Sequence, residues 1–143
     1  QTAGKIVHFY VTAIDALGAS ALAPVKGPDS RALYQVADTQ GTVLPAHELR
    51  LIMLDSDRDF MLANTNVMSN ARNGATLIYD RTEVFYDAGA KLQGTVASRI
   101  RDGDSYVSYD VDFSPGQLFR GVQNNIGIFC IIYTTFTKMQ LTV

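Results

Sequence analysis

Apolar and polar side chains along much of this chain alternate in steps of two, the spacing of a strand with one face buried. The cleanest case is 105–113, where Val107, Tyr109, Val111 and Phe113 share one face and Tyr106, Ser108, Asp110 and Asp112 the other. That pattern predicts a strand with a core face and a wet face, ended by Ser114-Pro115-Gly116. Residues 47–54 read the same way, with Leu49, Leu51 and Met53 on one side and His47, Glu48 and Arg50 between them. The two ends of the chain differ. Residues 5–16 place Val7, Phe9, Val11 and Ala13 on one face and Ile6, Tyr10 and Ile14 on the other. From Ile126 to Val143 even and odd positions are both largely apolar, and threonines 134, 135, 137 and 142 favour a strand over a helix. Strands without a wet face are expected to be covered on both sides, by a second sheet, a barrel interior or a neighbouring subunit. The C-terminal run exceeds the usual strand length, so it must bend, change sheets or pair with different neighbours along its length.

Punctuation between the strands completes the outline. Thr82 to Tyr86 is rich in strand formers, Asp87-Ala88-Gly89-Ala90 predicts a tight turn, and Lys91 to Gln93 returns antiparallel. Gly94 reads as a bulge, with the strand continuing to Arg101 through Val96, Ser98 and Ile100, and Asp102-Gly103-Asp104 is a second turn. Asp55-Ser56-Asp57-Arg58-Asp59 predicts a charged turn, followed by a strand or short helix from Phe60 to Val67 and a loop from Asn70 to Gly74. Segment 17–46 is less regular, interrupted by Gly18, Pro24, Gly27, Pro28, Gly41 and Pro45. Within it, Asp29 or Ser30 caps a short helix through Ala37 that buries Leu33 and Val36, or Ala32 to Ala37 forms a strand. The expected fold is all-β: an antiparallel β-sandwich, jelly-roll-like, or a small closed barrel of about eight or nine strands. At most one short helix is expected, near 29–37. Residues 1–143 are expected to form a single β domain, with 17–46 as a long connection or arm.

Composition narrows the classes of function. Charged residues make up 18% of the chain, below the roughly 25% of soluble domains, and a neutral surface tolerates contact with other subunits. The net charge is −2, and the basic residues are scattered, with only Arg99 and Arg101 sharing a strand face. That leaves no basic stripe to displace counterions from phosphates, so nucleic acid is not an expected partner. Cys130 is the single cysteine, so neither an intrachain disulfide nor a thiolate zinc cluster can form, and its apolar surroundings favour packing over reactivity. No run of eighteen apolar residues marks a membrane span. The sequence starts at Gln1 without a charged-then-apolar leader, which fits either a removed leader or an offset in numbering.

Candidate chemistry is sparse. Asp55, Asp57 and Asp59 alternate as at the start of a calcium loop, where oxygen ligands suit a hard cation. The rest of that loop pattern fails, since Phe60 stands where a sharp turn needs glycine and Asn66 where a bidentate glutamate is required. These three aspartates are the candidate metal ligands, set against a plain solvated turn. Asp102, Asp104, Asp110 and Asp112 form a second acidic group, in which Asp110 and Asp112 share a face at about 6–7 Å, a spacing open to an acid–base pair or to a solvated outer face. His8 and His47 are the only histidines, and no Gly-x-Ser-x-Gly elbow or phosphate-cradling glycine loop accompanies them. Tyr79, Tyr86, Tyr106 and Tyr109 cluster in the middle strands and suit a core rim or an interface. No catalytic residue and no cofactor is therefore assigned.

Three functions fit. A non-enzymatic structural or assembly subunit, such as a virion coat or decoration protein or a surface-fibre subunit, accounts for low charge, absent site motifs, doubly apolar terminal strands and an arm. Its partners would be copies of itself or another subunit, on a virion or an extracellular surface. A β-barrel that binds or isomerises a small apolar ligand is the alternative. A calcium- or sugar-dependent binding module using the acidic turns is the third.

Overall fold

The computed structural model describes residues 3–36, 47–99, 107–129 and 140–142. In chain order the strands are β1 (Ile6–His8), β2 (Val11–Ile14), β3 (Ser20–Ala23), β4 (Leu33–Gln35), β5 (Leu49–Ile52), β6 (Asn73–Tyr79), β7 (Glu83–Gln93), β8 (Ser108–Asp112), β9 (Asn125–Ile128) and β10 (Gln140–Thr142). Two short helices, α1 (Asp55–Leu62) and α2 (Val96–Arg99), and a 3-10 turn at Gly27–Asp29 complete the elements. The fold is all-β. Five antiparallel strands, β5 through β9 in sequence order, curl into a half-barrel, and β10 adds in parallel at the outer edge of β5. Two further antiparallel pairs, β1–β4 and β2–β3, are the other strand pairings among the described residues.

Strand alternation decides what the half-barrel buries. Leu51, Ala75, Leu77, Tyr79, Phe85, Ala88, Ala90, Leu92, Tyr109, Val111 and Phe113 project from one face into a single apolar cluster. Met61 of α1 and Val67 close this cluster, and Phe119 packs edge-on to Tyr79 and stacks on Phe113. On the opposite face, Ile52 and Thr76 are fully buried together with Ala32 and Leu33 at the start of β4. The N-terminal layer therefore covers part of the outer face of β5 and β6. The one-sided alternation of 105–113 is reproduced in β8, with Tyr109, Val111 and Phe113 buried and Asp110 and Asp112 on the far side.

The structure revises several sequence expectations. Residues 83–93 form one continuous strand, so the turn expected at Asp87-Ala88-Gly89-Ala90 is absent. The reversal occurs at Asp80 and Arg81, both at positive φ, and the register of β6 against β7 shifts between Ala75 and Leu77. Asp87, with φ of 54°, lies in that bulge, where Tyr86 and Asp87 together oppose Thr76. Gly89 serves a different purpose from a turn. It pairs across the strands with Gly74, and the two leave room for arginine side chains laid flat on the sheet, Arg31 over Gly74 and Arg72 over Gly89.

The charged segment at Asp55–Asp59 is the first turn and a half of α1, where Asp55 and Asp57 favour the positive end of the helix dipole. The helix expected near 29–37 is instead a 3-10 turn followed by β4, which realises the strand alternative. Gly94, at φ of 113°, ends β7, and the segment expected to continue as a strand through Val96 and Ser98 turns into α2. The C-terminal run is not one strand. β9 pairs with β8 at one edge of the sheet and β10 with β5 at the other, which is pairing with different neighbours in its strongest form. Ala37, Ile100, Arg101, Tyr106, Cys130 and the turn at Asp102-Gly103-Asp104 lie outside the described residues.

The N-terminal run also splits. β1 is half-buried against β4, and Phe9 marks the break. Its N–H donates to the Ala32 carbonyl (3.1 Å) and its ring meets Tyr34 and Tyr86. Beyond Tyr10 the chain leaves this layer, and every residue of β2 and β3 is exposed. The expected cover on both faces of this segment is not supplied by the described residues of the chain.

Candidate functional site

The acidic residues fall into arrangements built around arginine. The Asp57 carboxylate accepts from Arg31 Nε at 2.7 Å, and Asp59 accepts from Arg58 Nη2 at 2.6 Å, with Asp55 also 3.5 Å from Arg58. Helical spacing places Asp55 and Asp59 on one side of α1 and Asp57 on another, so the three candidate ligands do not converge. Among the described residues no group of three or more histidine, cysteine or acidic side chains stands close enough to hold a metal. The hydrogen bond to Asp57 raises the pKa of Arg31 against the opposing effect of burial, and the pair links α1 to the N-terminal layer.

Asp110 and Asp112 share the outer face of β8, as the alternation predicts. Arg72, lying over Gly89, reaches Asp110 at 3.1 Å and Asp112 at 2.7 Å, and Lys91 stands 3.4 Å from Asp110. Asn125 Nδ2 donates to both carboxylates. Burial opposes ionisation of Asp110, but the bond from Asn125 and the charge and bonds of Arg72 outweigh it and hold the carboxyl below the usual range. An acid–base pair needs one carboxylate pushed up and the other down. This pair is instead neutralised by two cations, which is the chemistry of a cross-strand tie.

The histidines occupy separate places. His8 Nε2 lies 3.4 Å from Ser30 Oγ, and Ser30 is fully buried, so no substrate reaches that hydroxyl. His47 Nδ1 sits 2.7 Å from Asp80 Oδ2, its ring stacked on Tyr79, with Arg120 above the same tyrosine at 4.7 Å. The Glu48 N–H and His47 draw the Asp80 carboxyl below its ordinary value. This dyad, with the Glu48 N–H, ties the start of β5 to the reversal between β6 and β7.

What remains is apolar and exposed. β2 and β3 form a finger whose tip is organised by Asp15, which accepts the N–H groups of Leu17 (2.9 Å) and Ala19 (2.8 Å), while Gly18 takes φ of 87°. Asn and Asp close such turns through their own backbone neighbours. At the tip Leu17 is 95% exposed, and Ile14 on β2 and Val25 at the base are 70% and 88% exposed. Leu22 is exposed on the hairpin face that carries Ile14, Val11 on the opposite face, and Tyr10 just before β2. A hairpin of two strands is marginal in water without a further strand or a packed face. The finger thus presents six large apolar side chains on a backbone whose turn is already set. The sequence signal for it was the doubly apolar pattern of 5–16; the projection away from the body was not readable from that pattern.

No helix among the described residues is long and apolar enough to cross a membrane. Compared with protein-family models, with curated proteins and with solved structures, the chain matches none.

Proposed function

We propose that this chain is a non-enzymatic structural or assembly subunit, of the class that builds virion coats, coat decorations or surface fibres. The observation that carries this reading is the finger of β2 and β3. Large apolar side chains exposed together on one projecting element mark an interaction site, and strand edges pair readily with other chains. The ionisable groups support the same reading, because the carboxylates of α1 and β8 are bound to arginines that brace the fold. The face of the half-barrel that a barrel ligand would occupy is filled by Leu77, Leu92, Tyr109 and Val111, which favours assembly over small-molecule binding. The test is light scattering across micromolar concentrations. An oligomer whose mass rises with concentration supports the reading, and a monomer throughout removes it.

A further inference from the structure

We infer that the finger pairs with the same finger of a second copy, β2 against β2 in antiparallel register about a two-fold axis near Ala13, making a four-stranded sheet from two chains. This inference rests on the assembly reading above and specifies its contact.

Charge is the first argument. From Phe9 to Val25 the only side chain charged at neutral pH is Asp15, and Lys26 follows directly at the base. An identical finger therefore meets no repulsion along the strand. With the axis near Ala13, antiparallel pairing separates the two Asp15 residues by roughly 14 Å and sets each opposite the uncharged Val11 of the second copy. Parallel pairing would set the two carboxylates side by side at about 5 Å, where like charges oppose contact.

Area is the second argument. A stable interface takes roughly 800 Å² from each partner. A two-fold contact uses the same patch twice, so every apolar residue counts on both sides. Six large side chains exposed by 39% to 95% stand on the two faces of the finger; those beside the edge of β2 contribute part of that area, and the edge itself adds main-chain hydrogen bonds. Ala13, at the axis, is small, so its two copies stand opposite each other across the new pair without a clash.

A cross-link decides the matter, in a Cys130→Ser background so that the introduced thiol is the only one. Opposed Cα atoms in an antiparallel pair lie about 4.5–5.5 Å apart, within disulfide reach, whereas the two Leu17 tips would be roughly 27 Å apart. Under mild oxidation Ala13→Cys is expected to give a covalent dimer and Leu17→Cys to remain monomeric on a denaturing gel. Ile14→Lys, an exposed position, is expected to weaken dimerisation at least tenfold by light scattering. If the wild-type oligomer persists unchanged in Ile14→Lys, or if Leu17→Cys cross-links instead, finger pairing is overturned while the assembly reading survives. A wild-type chain that is monomeric at every concentration overturns both, as does a monomer that sediments with phosphatidylcholine vesicles through the finger.

Discussion

Thr76 offers the sharpest test of how the layers are joined. It is fully buried opposite the bulge of β7. Its Oγ1 accepts the N–H of Leu33 at 2.9 Å and donates to the carbonyl of Arg31 at 2.5 Å. Thr76→Val keeps the shape and removes the hydroxyl, leaving two main-chain groups without that partner where water has no access. Each such group costs roughly 1–3 kcal/mol, so the variant is expected to lose about 3 kcal/mol. For a chain of this size that corresponds to a melting temperature lower by roughly 10 °C. Thr76→Ser is the control, since it keeps the hydroxyl and gives up one methyl, worth about 1 kcal/mol. The assay is urea unfolding followed by circular dichroism, in which the midpoint should fall while the slope stays constant. If Thr76→Val lies within 0.5 kcal/mol of the wild type, or if Ser is as damaging as Val, the hydroxyl bridge does not join the layers.

Three other outcomes follow from the geometry. A Cβ at Gly74 would stand 2.3 Å from Arg31 Cγ, so Gly74→Ala should cost about 1–3 kcal/mol; adding Arg31→Ala should recover part of it, and strictly additive losses in the double-mutant cycle would exclude the clash. Because Asp110 is held below its ordinary pKa, its contribution is complete above the unfolded value near 4 and is lost as pH falls through the folded value. Asp110→Asn should therefore flatten the acid limb of a stability–pH curve, and an unchanged slope below pH 4 would contradict the tie. Calcium at millimolar concentration should leave the melting temperature unchanged, since Asp57 and Asp59 are already paired with arginine; a rise would assign a cation to α1 by mass action.

The residues that announced their structure were those with one decisive solvent contrast. Val107 to Phe113 alternates because one face of β8 meets the core and the other meets Arg72, and that contrast is written in residue type. Where placement depends on distant partners, the local pattern misleads. Gly89 carries the mark of a turn, yet it is glycine because Arg72 lies across it. The true reversal falls at Asp80 and Arg81, and arginine at positive φ gives no turn signal; His47, 33 positions away, supplies a partner for Asp80 there. The short helix offered as one alternative for Phe60 to Val67 overlaps only the end of α1, which starts at Asp55; Met61 is the only buried residue along α1, so no helical apolar stripe marks where it begins. For the candidate site, the apolar character of 5–16 was legible, but β3 lay within the irregular segment 17–46 and the direction of the finger was not legible. An apolar strand facing a core and one facing a partner have the same sequence pattern.

The bulge at Asp87 has a consequence for how the chain is made. Asp87 Oδ1 accepts the N–H of Arg31 at 2.6 Å across 56 positions, and Thr76 holds Leu33 across 43. At synthesis rates of about 5–20 residues per second, the segment around Arg31 waits roughly 3–11 s before its acceptor has been translated. The hairpins from β5 to β9, closed by neighbours in sequence, have no such delay. The segment around Arg31 thus settles after the hairpins that follow it, and through that interval the apolar finger is present without the body that carries it. The assembly proposed above, begun on the polysome between chains growing side by side, would shorten the time the finger spends alone.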